Sequence, residues 1–474
     1  MSGTGSNKVI ASRTWCARSQ RPGRPDRISV QLRLLTLGLL CSGLLGCGQD
    51  ISPNVLLITI DTARADYIGC YGMSDVQTPH LDRLAEEGTL FLHNVAPSQC
   101  TNPSHASILT GLYLARHTVY DNETPLPESA QSLAEVLQDK GYVTLAAVSA
   151  RHLNPVNSNF SQGFDTLLTC EPIELKAGER NETFLPELRR VAAQPPFFAW
   201  VHYFDPHGTY DPPAPYDTLY APEDDFAPMP PRKSMEIGPD KQRELIDPDD
   251  YVALYKGEIT YLDTEIGRVL AVLDELELAN DTIVVLVADH GESMTEKDIY
   301  FCHAGVYNQV LHVPLIMRWP ERIPRGHRVQ AVTSSVDIFP TLLSLLSIPS
   351  PASDAGVSGQ DLAPTFKNPQ AEIHNAVFSE AVGGVIRAVY AQGYKFARPY
   401  PIDWALKEEV LYQTFEDYWE EQELKNEEAN RSAELAALLE GWLAVAQSHA
   451  LPASEEHTVD AKTKEALKSL GYID

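Results

Sequence analysis

Two apolar runs in the chain end in acids. Val55-Leu56-Leu57-Ile58-Thr59-Ile60 leads into Asp61, and Val284-Val285-Leu286-Val287-Ala288 leads into Asp289-His290-Gly291-Glu292. Carboxylate and imidazole together form a donor set for a divalent cation. One such ending is also what a capping or turn aspartate looks like. Two of them, the second with an adjacent histidine, read as a single metal site of Asp61, Asp289 and His290. Thr101 adds a hydroxyl. It stands in Gln99-Cys100-Thr101-Asn102-Pro103-Ser104-His105-Ala106-Ser107-Ile108-Leu109-Thr110-Gly111, which reads as a loop entering a helix, with Pro103 early and Gly111 closing it. A hydroxyl there faces unpaired backbone N–H groups and the positive end of the helix dipole, which favour an alkoxide and an anionic substrate. Read alone, Thr101 is a helix cap; beside a metal site it is a metal-activated nucleophile and a further metal ligand.

Five histidines complete the set. His202 and His207 lie just past the strand-like run Phe197 to Val201, and His152 lies past Val143 to Val148, so all three are expected on one rim of a sheet; His105 and His303 join them. The other histidines, His80, His93, His117, His312, His327, His374, His449 and His457, have no such setting and read as ordinary surface or core residues.

For these residues to meet, the runs Val55–Ile60, Val143–Val148, Phe197–Val201 and Thr282–Ala288 must lie side by side as buried strands. Helix-period segments separate them, such as Pro79–Glu87 before Gly88 and Leu133–Lys140 before Gly141. After Asp249-Asp250, Tyr255, Ile259, Leu262, Ile266, Val269, Leu273 and Leu276 form one apolar stripe. The alternation predicts an α/β fold with a mostly parallel sheet covered by helices, whose ligand site lies beyond the carboxyl ends of the strands. Residues 206–248 hold ten prolines and many acids without apolar periodicity, and read as a long surface loop shaping access to the site. A strand near Val313–Met317 and a helix over Val336–Leu346 precede a Pro/Ser/Gly-rich boundary at 349–359. Beyond it, strands near 376–379 and 385–390, an acidic helical stretch and a helix over Ala433–Ala446 predict a small α+β subdomain. The expected organisation is therefore a leader at 1–47, a catalytic domain at 52–348 and a C-terminal subdomain at 360–474.

The formal charge of −28 is uneven: residues 1–47 carry seven Lys or Arg against one Asp, so the remainder is strongly acidic and repels nucleic acid. That basic leader ends in the uncharged run Leu34–Cys47, the length of a signal-peptide apolar region and short for a membrane span. Its end, Leu44-Leu45-Gly46-Cys47, resembles a lipobox, which implies a lipidated Cys47, an exported protein in the periplasm or on the cell surface, and a membrane link only through that anchor; ordinary cleavage is the alternative. The seven cysteines show no CxxC spacing, so neither a zinc ribbon nor a disulfide scaffold is indicated.

In these motifs, in Pro103-Ser104-His105-Ala106-Ser107-Ile108-Leu109-Thr110-Gly111, Asp205-Pro206-His207, Val313-Pro314-Leu315-Ile316 and Leu470-Gly471-Tyr472, residues 53–474 resemble the sulfatase family of the alkaline phosphatase superfamily. The resemblance implies an alkaline-phosphatase-like central sheet with a small C-terminal subdomain. It implies Asp61, Asp289 and His290 as metal ligands, Thr101 at the nucleophile position, His207 as the group assisting the leaving alcohol, and His105 and His303 binding the peripheral oxygens of the anion. His152 matches the histidine of a Lys-x-His pair; with His202 and Arg64 it is expected to contact substrate, Arg64 forming a basic pocket with Arg116 and Arg151.

The departures from the family pattern bear on the chemistry. The family signature, Cys or Ser-x-Pro-Ser-Arg, has its first residue oxidised to formylglycine; counting back from Pro103 puts Thr101 there, and Thr cannot be oxidised that way. Thr62 replaces the second aspartate, and imidazole at His290 suits zinc or manganese better than calcium, which stays open. The expected activity is hydrolysis of a sulfuric ester on a small or glycan-like anionic substrate. Hydrolysis of a phosphate mono- or diester or a phosphonate ester is the alternative, and an inactive binding homologue the third reading.

Overall fold

In the computed structural model, residues 52–171, 174–221, 248–350, 359–400 and 405–454 are described. The leader with Cys47, most of the proline-rich loop, the core of the 349–359 boundary and Leu470-Gly471-Tyr472 lie outside them. The strands of the larger sheet are β1 Asn54–Ile60, β2 Thr89–Val95, β3 Val143–Ala147, β4 Thr166–Leu168, β5 Phe197–Tyr203, β6 Thr282–Ala288, β7 Leu315–Arg318 and β8 His327–Ser334. Their order is β4-β3-β5-β1-β6-β7-β2-β8, with β7 antiparallel to both its neighbours and every other pairing parallel.

β1 shows why this sheet is two-sided. Its residues are all buried, and they alternate between two cores: Leu56, Ile58 and Ile60 join the Pro248–Glu275 helix through Tyr255, Ile259, Leu262 and Ile266, while Val55 and Leu57 join the Thr101–Thr110 helix through Ala106, Ile108 and Leu109. A strand covered on both faces must be apolar throughout, which is why it reads as a continuous run in sequence. The predicted stripe packs as expected up to Leu273; Leu276 falls past the helix end and is exposed.

The smaller sheet is antiparallel in the order β12-β11-β10-β9, from β9 Val377–Glu380, β10 Ile386–Ala391, β11 Tyr394–Pro399 and β12 Val410–Gln413. The Ala429–Ser448 helix covers it through Leu435 and Leu439. The acidic stretch expected to be helical is instead β12 followed by turns. Its carboxylates bind backbone: Asp417 accepts from Glu421 and Gln422 N–H, and Glu423 accepts from Leu411 and Lys425 N–H. Acids that cap turns in this way compete with helix formation. No described helix is long and apolar enough to cross a membrane.

Candidate active site

Cys100, in extended backbone, caps the Thr101–Thr110 helix, so Thr101 is its first helical residue and not its cap. Thr101 Oγ1 lies 3.4 Å from His290 Nε2, and that nitrogen lies 3.7 Å from both Asp61 Oδ1 and Asp289 Oδ2. All four residues are fully buried where β1 and β6 end. Helix and strand ends are tied together directly, since Ser104 Oγ donates to the Asp289 carbonyl at 2.7 Å.

The tautomer of His290 follows from its neighbour. Nδ1 is 3.0 Å from the Gly291 carbonyl, which only accepts, so Nδ1 carries the proton and Nε2 presents a lone pair to the centre. Gly291 itself must lack a side chain, because a Cβ would sit 2.2 Å from the Gln309 carbonyl oxygen. Asp289 Oδ1 accepts from the Thr62 and His290 N–H groups, leaving Oδ2 free; both oxygens of Asp61 are likewise buried without a hydrogen-bond partner. Burial pushes both carboxyls well above their usual range, and Asp61 raises Asp289 further. Two uncompensated buried carboxylates facing an imidazole lone pair and a hydroxyl are the donor set of a divalent cation. The ligand atoms of Asp61, Asp289 and His290 all lie within 4.8 Å of one another. Between the two acids Thr62 adopts a left-handed φ of 51°, strained for a β-branched residue, and its carbonyl is held by Tyr255 Oη at 2.8 Å.

The histidines divide into two groups. His105 and His202 lie beneath the centre and both are fully buried. Trp200 Nε1 donates to Thr59 Oγ1 at 2.9 Å, Thr59 lies 3.0 Å from His105 Nε2, and His105 Nδ1 lies 2.9 Å from the Thr101 carbonyl. Both ring nitrogens of His105, expected to bind the anion, are thus engaged within the protein, one of them on the backbone of Thr101. His202 belongs to β5 itself, paired with Thr59. Its Nδ1 accepts from Ser149 N–H at 3.4 Å, so Nε2 carries the proton and faces Asp61 Oδ2 at 3.6 Å. That separation is beyond hydrogen-bond reach, so Nε2 of His202, expected to contact substrate, is buried beside Asp61 without a hydrogen bond.

His207, His303 and His152 form the other group. The His303 ring centroid is 4.6 Å from that of His290 and 5.8 Å from that of His207. His207 Nδ1 lies 2.7 Å from the Gly208 carbonyl. His152 follows β3 in a short turn, Arg151–Leu153, and its carbonyl accepts from Asn102 Nδ2 at 3.1 Å. Burial holds the rings neutral, with His202 and His207 lowered to about 3 and His303 to about 4.

Arg64, expected to contact substrate, has its donors engaged by neighbouring acids and backbone. Its guanidinium is fully buried and bidentate to Asp66 at 2.9 and 2.8 Å, with Nη1 on Glu296 at 2.8 Å and on the Glu292 carbonyl at 3.1 Å. Arg116 donates to the His449 carbonyl at 3.0 Å, so the expected basic pocket does not assemble. Its planar fork makes Arg64 a brace between the segments that follow β1 and β6.

Sequence reasoning missed Asn122. Its Oδ1 accepts from the Asn102 N–H at 2.8 Å and the Cys100 thiol at 3.2 Å, so the amide is held against the start of the Thr101–Thr110 helix while Nδ2 is buried without a partner. In sequence, Asp121-Asn122-Glu123-Thr124 reads only as a turn. The same contact engages the Cys100 thiol, and burial pushes its pKa well up, so it is a poor nucleophile.

Fold and site together define a hydrolase acting on ester bonds. The chain belongs to the sulfatase family: the model described as Sulfatase matches residues 53–348, and the one described as N-sulphoglucosamine sulphohydrolase, C-terminal, matches residues 297–435. The ulvan-active sulfatase of Formosa agariphila is 29% identical over 390 residues, covering 74% of this chain and 73% of that protein. Among solved structures, the phosphonate monoester hydrolase of Agrobacterium radiobacter superposes with a TM-score of 0.67 at 22% identity, covering 84% of this chain and 96% of its own. A protein bound to its substrate D-glucosamine-2-N,6-O-disulfate superposes with a TM-score of 0.71 at 21% identity, covering 84% and 98%.

Proposed function

We propose that the chain hydrolyses sulfuric esters of small or glycan-like anionic substrates, with Thr101 as the nucleophile. The observation that carries this is the convergence of Thr101 Oγ1, at a helix N-terminus, with His290 Nε2, Asp61 and Asp289. What a divalent ion held by these residues supplies is Lewis acidity, lowering the pKa of the hydroxyl and polarising the S=O group. The imidazole among the donors favours zinc or manganese over calcium.

The Thr101 oxygen attacks sulfur in line. A bond from Oγ1 to sulfur forms as the bond from sulfur to the alcohol oxygen breaks, and the hydroxyl proton of Thr101 reaches the departing oxygen by way of His207 Nε2. The departing oxygen takes its proton from His207 Nε2, because Nδ1 is already bonded to the Gly208 carbonyl. Burial disfavours that proton; the negative charge of the entering ester is what lets the ring hold it. Water then attacks the sulfur of the Thr ester, releasing sulfate and restoring the hydroxyl. His303 and Asn122 Nδ2 bind peripheral oxygens, with His152 beside them. The leader places the mature protein outside the cytoplasmic membrane, in the periplasm or on the cell surface, held by acyl chains on Cys47; intact mass of the exported protein without acyl mass would refute that.

A second reading, hydrolysis of phosphate or phosphonate esters, is favoured by the same hydroxyl: Thr cannot form the hydrated aldehyde by which a sulfated intermediate collapses through elimination. p-Nitrophenyl sulfate, phosphate, bis-phosphate and phenylphosphonate, each with zinc, manganese or calcium, separate the two. Sulfate turnover abolished by Thr101→Ala supports the first reading, phosphorus-ester turnover alone the second, and turnover surviving Thr101→Ala removes the nucleophile from both.

A further inference from the structure

His303 sits in a segment that cannot hold its own shape. Lys297, Asp298 and Phe301 have left-handed φ values of 57°, 58° and 49°, none of them glycine. Such a run persists only where its surroundings over-determine it. Part of the hold is local, through the Ser293 and Cys302 backbone pair and the Phe301 N–H to the Met294 carbonyl. A further hold comes from the small sheet.

Glu420, in the turns after β12, is 1% exposed and has a left-handed φ of 55° of its own. One carboxylate oxygen takes the Lys395 ammonium of β11 at 2.5 Å; the other accepts the Asn308 N–H at 2.9 Å. Its backbone carbonyl accepts from Lys297 Nζ. Asn308 is tied again, by its Nδ2 to the Tyr418 carbonyl at 3.0 Å and by its Oδ1 to Tyr390 Oη at 3.3 Å and Lys395 Nζ at 3.4 Å. One buried residue therefore grips both ends of the stretch that carries His303.

We propose that the Lys395–Glu420 ion pair is a positioning device for His303, so that a subdomain whose described residues include no reacting group still sets the geometry of the reaction. This rests on the role given to His303 above. A buried pair of this kind contributes little net stability, and a neutral pair of similar shape replaces it at small cost; geometric control is what it adds.

The test uses the full-length protein with Glu420→Gln, and with Lys395→Met/Glu420→Gln as the neutral variant that folds if the single one does not. Hydrogen-exchange mass spectrometry of the neutral variant should show residues 297–308 exchanging about tenfold faster or more, with β1 and the Thr101–Thr110 helix unchanged. The kcat/KM on the best p-nitrophenyl ester should fall about 10- to 100-fold, and the same change made on a His303→Ala background should cost nothing further. Unchanged exchange at 297–308 overturns the grip, whatever the activity. Loosened exchange with the full loss repeated on the His303→Ala background overturns the positioning role. Wild-type turnover by His303→Ala alone removes the role of His303 in the reaction, and the positioning role with it, while exchange still decides the grip.

Discussion

Replacing Asp61 by Asn should make the metal-free protein more stable, the reverse of what a substitution at a fully buried residue usually does. Without a cation, both Asp61 oxygens and Asp289 Oδ2 are buried without hydrogen bonds, and the Asp61 charge raises the cost of the Asp289 charge. An unsatisfied buried polar group costs about 1–3 kcal/mol. An amide at position 61 removes one charge and offers Asp289 a donor, so about 2 kcal/mol should be recovered. With an unfolding entropy of about 2.1 cal/mol/K per residue over about 400 residues, or about 0.8 kcal/mol/K, that is about 2 °C in Tm. Metal acts the other way round: at a hundred times its Kd it stabilises wild type by about 2.7 kcal/mol, or about 3 °C. Differential scanning fluorimetry with and without a chelator, across a titration of zinc or manganese, reads both effects. Chelated Asp61→Asn should melt above chelated wild type and ignore added metal. A variant that melts lower than chelated wild type and still gains several degrees from metal would show that Asp61 holds no cation.

Asn122→Asp keeps the oxygen that accepts from Asn102 N–H and Cys100 but loses the buried donor, so kcat/KM should drop about 100-fold, with a lower Tm because a buried carboxylate replaces an amide; steady-state kinetics with a thermal melt on the same sample decide, and undiminished turnover refutes it. Cys100→Ala should keep turnover within a few-fold, since the thiol faces Asn122, and a complete loss in the ester assay would return Cys100 to the reaction. His374→Asn tests a group far from the chemistry. Although burial pushes the His374 pKa down, the Asp337 carboxylate 2.8 Å away raises it above the usual value. A raised histidine stabilises the fold fully below its unfolded pKa of about 6.5 and loses that contribution as pH rises through the folded value. The variant should therefore lose about 2 kcal/mol near pH 5.5 and much less near pH 9 in denaturant melts; an equal loss at both refutes the ionic pairing.

The four strands that carry the site were legible because burial on both faces makes parallel strands continuous apolar runs, and because Asp61 and Asp289-His290 follow them directly. β2, with half-buried His93 and Leu92 in it, and the short β4 carry no such signal; they take their conformation from their neighbours in the sheet.

Residue types and spacing alone determined that two carboxylates, an imidazole and a hydroxyl converge, since consecutive parallel strands present their carboxyl ends on one rim. What spacing cannot carry is which atoms of a side chain are left over. His105 and His202 are chemically equal to His207 and His303 in the chain, yet Thr59, the Thr101 carbonyl and Ser149 bind their rings beneath the centre. Arg64 looked free until Asp66 and Glu296 closed on it, and Asn122 gained meaning only when its oxygen was engaged and its nitrogen was not. Hydrogen-bond satisfaction depends on partners that range from neighbours in the chain to residues more than two hundred positions away, so tertiary packing decided which of the polar groups near the centre brace it.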